Sequence, residues 1–383
     1  MNQPSGNLDA LRQEVIELDK QLLSAAARRN EVVEEIAAAK AASESKQALF
    51  DRSREKAVYQ RAYETGREVG LPISMTHELM QVLIENSHLI QERQSRLSSN
   101  QGLSTDRAQF LIVGGAGRMG SRLRHELEQR GHDVAVSDRN DDETSLLNLV
   151  SVADIVILAV PMHLQTQTVE LVAPHVRPDA LLCDINSLKQ EVCEAMKSHG
   201  RSETLGLHPM FGPTVHSFRR QKVVVCQLNS GERAKWFCAE LERMGMELVH
   251  CEPDQHDRMM AVIQVLVHYS TIVMGRALSQ SGITIEDSLR MTSPIYRLEL
   301  SFVSRLFVQN PDLYAQIEMS NPYGDEVRQL FNNATDEWDR IILERDAEAF
   351  RHLFNSVADY FHGFSDEAMS LSNQIIDSMV KQP

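Results

Sequence analysis

The sequence predicts three unlike parts in a row: an all-α N-terminal domain, a central α/β domain built on a parallel, doubly wound sheet, and an all-α C-terminal domain. Three observations carry this. Apolar residues recur at a 3-4 spacing from Leu8 to Ala39, the period of a helix seam. From residue 109, short apolar runs alternate with amphipathic stretches, as in successive β/α units. After Pro253 those runs fade and helical patterning returns. The boundaries fall at 1–97, 98–108 for a polar linker, 109–253 and 254–383, and a chain of 383 residues has room for two or three domains.

The first helix carries Leu8, Leu11, Val15, Leu18, Leu22, Ala25, Arg29, Val32, Ile36 and Ala39 on its seam. Arg29 stands where an apolar residue belongs. An unpaired charge on a packing face is costly, so Arg29 either snorkels to solvent, pairs with a nearby Glu, or faces a buried anion. A second helix spans about Asp51 to Val69 and is stopped by Gly70-Leu71-Pro72. Ser74 or Thr76 caps a third that runs to about Leu97. Ser98–Thr105 is polar, contains glycine and reads as the linker.

Phe110-Leu-Ile-Val113 then runs into Gly115-x-Gly117-x-x-Gly120. A strand, a turn of bare glycines and a helix N-terminus together cradle a pyrophosphate. Arg118 and Met119 lie inside that turn. The next strand, His132–Ser137, ends at Asp138, about 20 residues past the glycines. An acid there accepts hydrogen bonds from a ribose 2′-hydroxyl and repels a 2′-phosphate. The domain is therefore Rossmann-type and its cofactor NAD. Further strand-like runs fall at 155–160, 180–185 and 222–228. The run ending at Val160 and Pro161 begins the second half of the sheet, with its carboxyl end toward the cofactor.

Asp184-Ile-Asn-Ser-Leu-Lys189 closes one strand, and Leu205-Gly-Leu-His-Pro-Met-Phe-Gly-Pro213 follows. A histidine fixed between glycines and prolines at the end of a strand-like run suits a proton acceptor near neutral pH. Spacing alone also leaves His208 open to a structural role. The Met- and Val-rich stretch from Met259 to Met274 reads as core or subunit interface, and His256 and His268 on the C-terminal helices as interface or core residues.

Net charge is −15, which excludes nucleic acid as the main partner. Residues 1–97 hold 13 Lys and Arg against 15 Asp and Glu, so an anion bound there must meet specific cations. No run of about 18 uncharged apolar residues marks a membrane span, and the N-terminus lacks a signal peptide's basic and apolar regions. The five cysteines are odd in number and scattered, as expected of reduced thiols in the cytoplasm. No His, Cys and Asp spacing points to a metal.

Three runs resemble the prephenate dehydrogenases: Gly206–Pro213, Asp184–Lys189, and Ser293-Pro-Ile-Tyr-Arg-Leu-Glu-Leu300. Residues 1–97 resemble the small all-helical chorismate mutases. Together they resemble the bifunctional T-protein family, chorismate mutase–prephenate dehydrogenase, over nearly the whole chain. The resemblance implies that His208 takes the proton of the prephenate 4-hydroxyl as hydride leaves that carbon for NAD, with loss of CO2. It implies that Ser187 orients the histidine and the hydroxyl, that Arg297 grips a substrate carboxylate, that Lys189 lies close to the substrate, and that His199 contacts the nucleotide. In the mutase part it implies Lys40 and Gln91 at the ether oxygen. Arg29, Arg54 and a second subunit's Arg12 would hold carboxylates. Asp51 and Glu55 would contact the hydroxyl or position the cations, and Ser87 joins the same set. Arg29 and Lys40 lie about 16 Å apart along one helix, and Ser87 and Gln91 share a face. The resemblance further implies a homodimer, whose C-terminal helices form the dehydrogenase interface, and tyrosine as feedback inhibitor. The alternative is an arogenate-type dehydrogenase whose N-terminal helices only dimerise.

Overall fold

A computed structural model gives the fold and describes residues 5–42, 52–98, 107–215 and 217–380. The chain divides into two compact units, Met1–Asp106 and Arg107–Pro383. The sheet and the C-terminal helices both fall within the second unit.

The first unit has three helices: α1 (Ser5–Ala42), α2 (Arg52–Glu68) and α3 (Ile73–Ser98). Both α1 and α2 pack on α3. The contact face of α1 differs from the seam expected over its second half. Val33 and Ala37 are buried, whereas Val32 and Ile36 are exposed. Farther forward Leu8, Leu11, Val15, Leu18 and Leu22 are all at least half exposed. An apolar stripe of that length on one chain is a surface in need of a partner.

The second unit is built on seven strands: β1 (Gln109–Val113), β2 (Asp133–Ser137), β3 (Ile155–Leu158), β4 (Leu181–Asp184), β5 (Glu203–Pro209), β6 (Lys222–Asn229) and β7 (Glu247–His250). Their order is β2-β1-β3-β4-β5-β6-β7. Parallel pairing holds from β2 through β5, and β6 then returns antiparallel to β5. Sequence patterning puts His208 at the end of a strand-like run, as β5 does, but leaves β7 out of its strands and takes the whole sheet as parallel. The reversal has a local cause: among the described residues no helix lies between Pro209 and Lys222, and a short return connection makes an antiparallel neighbour. Five helices accompany the sheet: α4 (Arg118–Gln129), α5 (Glu143–Val152), α6 (Met162–Val172), α7 (Gln190–His199) and α8 (Glu232–Arg243). Strands β1, β3 and β4 are buried on both faces, which explains their unbroken apolar runs.

From Pro253 an unbroken helical rod extends to Gln280. It comprises α9 (Pro253–Met260), a π-helical turn (Ala261–Leu266) and α10 (Val267–Gln280). By length and apolarity alone this rod is long enough to cross a membrane. Its first half instead buries His256, Asp257, Met260, Ala261 and Val265. Then follow α11 (Ile285–Arg290), α12 (Pro294–Phe307), α13 (Pro311–Ser320), α14 (Gly324–Glu344), α15 (Ala347–Phe361) and α16 (Ser365–Val380). Ser293 caps α12 by accepting the Tyr296 N–H, with Pro294 at the first helical position, where a missing N–H costs nothing.

One ionic cluster stabilises the sheet's outer edge. The buried Glu240 of α8 accepts from Arg130 Nε and from Arg243 Nε, the latter at 2.8 Å, with His132 Nε2 at 3.5 Å. Burial pushes this carboxyl up, but His132, Arg130 and Arg243 outweigh it and bring it down to about 2. Its stabilisation is present above the ordinary glutamate range and is lost as pH falls through about 2. Glu240→Gln removes on the order of 2 kcal/mol at neutral pH, discounted for the cluster's partial exposure. Denaturant melts at pH 7 and pH 3 check this: the gap between wild type and variant must shrink in acid.

Candidate active sites

The nucleotide crevice opens where strands leave β1 in opposite directions, between β1 and β3, the usual ligand position in such sheets. Gly114 turns the chain there at φ +84°, and a Cβ on it would stand 2.6 Å from Ala159 O. On Gly120 a Cβ would stand 2.7 Å from Gly114 O, so only glycine lets α4 come this close to the turn. Gly117 is the N-cap of α4, and Gly115 is buried against Val136. Arg118 is exposed and Met119 packs on the core beneath. Asp138 closes over the turn: its Oδ2 accepts the Ala116 N–H at 3.1 Å and its Oδ1 the Arg139 N–H at 2.9 Å. Across the crevice Val160 O accepts from Asn186 Nδ2 at 3.0 Å, and Pro161 is the N-cap of α6. A glycine cradle at a helix N-terminus with an acid at its rim fits a dinucleotide whose ribose 2′-hydroxyl is free.

His199 does not join this set. It ends α7, which starts at the carboxyl end of β4 and runs back to the amino end of β5. Its Nδ1 lies 3.0 Å from Ala195 O of its own helix. This corrects the sequence assignment: the helix carries His199 to the opposite rim of the sheet.

His208 sits at the carboxyl end of β5 and is 3% exposed. Its Nδ1 is 2.9 Å from His256 Nε2, and His256 Nδ1 is 2.7 Å from Asp257 Oδ1. Asp257 is fixed in turn, accepting the backbone N–H groups of Lys189 and Gln190 at 2.8 and 2.9 Å. These lie at the start of α7, where a carboxylate meets the positive end of the helix. The carboxylate dictates the tautomers. His256 donates from Nδ1 to Asp257, so its Nε2 accepts from His208 Nδ1–H, and His208 Nε2 presents its lone pair. Gln264 Nε2 lies 3.4 Å from that lone pair, and its Oε1 has no partner among the described residues. Burial, then His256 and Lys189, hold the His208 imidazole well below its ordinary range. At neutral pH it is uncharged and able to accept a proton.

His256, Asp257 and Gln264 escape the sequence reading, which leaves His256 to core or interface. The one trace was the adjacent His256-Asp257 pair opening a helix. Ser187 lies on the rim loop after β4, half-buried. The group held at His208 Nδ1 is His256. Lys189 is a second correction: it is 0% exposed and ion-paired with Asp184, which also accepts from Gln165 Nε2 at 2.6 Å. Its ammonium is consumed by that buried pair and is not presented to a substrate. Arg297 is exposed on the first turns of α12, and no hydrogen bond or ion pair among the described residues ties it to His208.

In the first unit Arg29 Nη1 donates to Leu83 O at 2.8 Å and to Ser87 Oγ at 2.6 Å. Ser87 is buried and Arg29 half-buried, so the seam arginine is clamped onto α3 rather than snorkelling out. Arg12 is exposed and pairs with Asp9 at 3.2 Å, apart from Arg29 within one chain. Lys40, Arg54, Glu55 and Gln91 lie on α1, α2 and α3, their side chains outside the described set. Asp51 lies outside the described residues.

Comparison with known proteins gives three successive family matches: chorismate mutase type II over residues 11–92, prephenate dehydrogenase nucleotide-binding domain over 120–244, and prephenate dehydrogenase dimerization domain over 252–356. The T-protein of Haemophilus influenzae is 30% identical over 372 residues, covering 96% of each chain. This chain belongs to the bifunctional T-protein family, chorismate mutase–prephenate dehydrogenase. The T-protein of Enterobacter agglomerans is also 30% identical, over 97% of each chain. In fold, the second unit is similar to prephenate dehydrogenase of Aquifex aeolicus in complex with hydroxyphenyl propionate and NAD+. That likeness has a TM-score of 0.53 at 16% identity and covers 68% of this chain and 99% of that one. As a T-protein, the chain rearranges chorismate to prephenate and oxidises prephenate with NAD to 4-hydroxyphenylpyruvate and CO2. The glycine cradle, Asp138 and the His208 cluster lie on the same carboxyl rim of the sheet.

Proposed function

We propose that His208 is the base of the dehydrogenase, with His256 and Asp257 as the groups that set its tautomer. The observation that carries this is the line Asp257–His256–His208, which ends in the Nε2 lone pair of a buried, uncharged imidazole, with only the Gln264 amide at 3.4 Å beside it among the described residues. His208 Nε2 accepts the proton of the prephenate 4-hydroxyl. NAD, when bound, supplies the hydride acceptor. Gly115, Gly117, Arg118, Met119, Gly120, Asp138, Val160 and Pro161 hold the nucleotide, Ser187 meets the substrate hydroxyl, and Arg297 binds a carboxylate.

In the mutase, Arg29 and Arg54 grip the substrate carboxylates, Lys40 and Gln91 stabilise the ether oxygen, and Asp51, Glu55 and Ser87 complete the pocket. Preorganised charge is the tool such a rearrangement needs. Arg12 reaches the site from a second subunit, and the exposed apolar stripe of α1 supports a homodimer. The protein works in the cytoplasm, in keeping with five free cysteines. Tyrosine, which shares the hydroxyphenyl ring of the product, acts as feedback inhibitor.

The test is one mixture of protein, chorismate and NAD, with chorismate loss and NADH formation followed together. Both signals are expected, NADH lagging until prephenate accumulates. Chorismate loss without NADH removes prephenate as the second substrate. Persistent chorismate reduces the N-terminal helices to a dimerisation module.

A further inference from the structure

Gln264 and His268 are four residues apart on the rod and share a face. Gln264 touches the His208 base, and His268 lines a cleft of about 490 Å3 between α10, α12 and α13. On the far side of the imidazole, Glu318 Oε1 of α13 lies 3.8 Å from His268 Nδ1. Both Glu318 oxygens and His268 Nδ1 are closed to solvent and have no hydrogen-bond partner among the described residues. Three partnerless polar atoms in one buried spot are costly unless they serve each other or a ligand. Burial pushes the Glu318 carboxyl up to about 7, against the pull of Arg328, and draws the His268 imidazole down. Each group alone is therefore reluctant to carry charge.

We propose that Glu318 is a positioning residue of the dehydrogenase that shares one proton with His268 and passes it to the imidazole when a substrate carboxylate enters the cleft. The proton leaves Glu318 Oε1 and lands on His268 Nδ1. The pair is neutral in total before and after, and no proton comes from solvent. The resulting imidazolium turns its Nε2–H edge toward the cleft, opposite the carboxylate. The cation thus exists only while an anion is present to pair with it, which avoids a standing buried charge.

The surroundings agree with an anionic, ring-bearing ligand. Tyr314 lies edge-on to His268 at 4.8 Å between centroids, and Phe302, Thr271 and Arg305 line the same cleft. Other charged or titratable groups face the pair from each packed element. Arg328 of α14 lies 4.0 Å from Glu318 Oε2 and donates to Glu318 O, and Glu299 of α12 lines the cleft. From α6, His163 is engaged with Gln316 at 2.7 Å, which ties α13 to the rim of the nucleotide crevice. The inference rests on the reading of His208 as the base, since that places the substrate hydroxyl beside Gln264 and its remainder toward His268.

The test is Glu318→Gln in the full chain, assayed with prephenate and NAD across the neutral pH range. KM for prephenate is expected to rise about tenfold, the weight of one charge-assisted hydrogen bond, while kcat and KM for NAD hold within about twofold. In the wild type, KM for prephenate climbs only above pH about 7, where the pair loses its proton. In the Gln variant the climb starts at lower pH, because His268 must take its proton from solvent. Glu318→Asp should restore most of the affinity. An unchanged prephenate KM and pH profile overturns the proposal. So does a joint loss of kcat, NAD affinity and Tm, which marks a packing role. Wild-type protein that ignores prephenate overturns the underlying functional reading instead.

Discussion

His208→Asn removes NADH formation by about three orders of magnitude and leaves chorismate loss at the wild-type rate. The size follows from losing a positioned general base, together with the proton relay behind it. Asparagine keeps a donor for His256 Nε2, so the buried pair with Asp257 survives and the fold is not at stake. The base is buried and its imidazole is held well below the ordinary range. Wild-type turnover therefore persists into mild acid, where a free histidine would already be protonated and inert. NADH formation and chorismate loss are read in separate assays, prephenate being supplied for the first. Dehydrogenase turnover within tenfold of wild type in the Asn variant would move the base elsewhere.

Arg29→Ala abolishes chorismate rearrangement by two to three orders of magnitude, as expected when a preorganised charge is deleted from a site with no covalent chemistry. It leaves oxidation of supplied prephenate intact. Ser87 still donates to Leu83 O at 2.6 Å without the guanidinium, so α3 keeps its local bonding and the helix pair stays folded. Circular dichroism of the variant separates a lost charge from a lost fold. Ordinary chorismate turnover by a folded Arg29→Ala protein would make the three helices a scaffold.

The sequence was most legible where one local pattern serves one purpose. The apolar runs of β1, β3 and β4 are read directly because these strands are buried on both faces. The glycine turn is read because its spacing encodes close backbone approach. β5 is legible only as a strand-like run ending at His208, because Gly206, His208 and Pro209 interrupt its apolar pattern. β7, with four residues, is too short for periodicity. The misread side chains share another cause. Lys189 looks like a substrate-binding cation until Asp184 is placed five residues back in the same buried spot. His256 looks like a core residue until it meets His208, 48 positions upstream. Arg29 was the exception: its misfit on an apolar seam is a local signal, and the clamp onto Ser87 resolves it. The seam itself misled over Val32 and Ile36, because a stripe facing outward has the same period as one facing α3.

The π-helical turn sets a constraint of a different kind. Such a turn holds one residue more than an α-helix would spend on the same path. In the rod it falls between His256 and His268, with Gln264 on it. Removing one residue from Ala261–Leu266 would let a regular α-helix cover the same path, and α10 with His268 would keep its place. What would be lost is the wider turn that carries Gln264 to within 3.4 Å of His208. A single deletion inside the turn is therefore borne by the fold and felt at the base, whereas one in α9 or α10 would turn everything after it by about 100°.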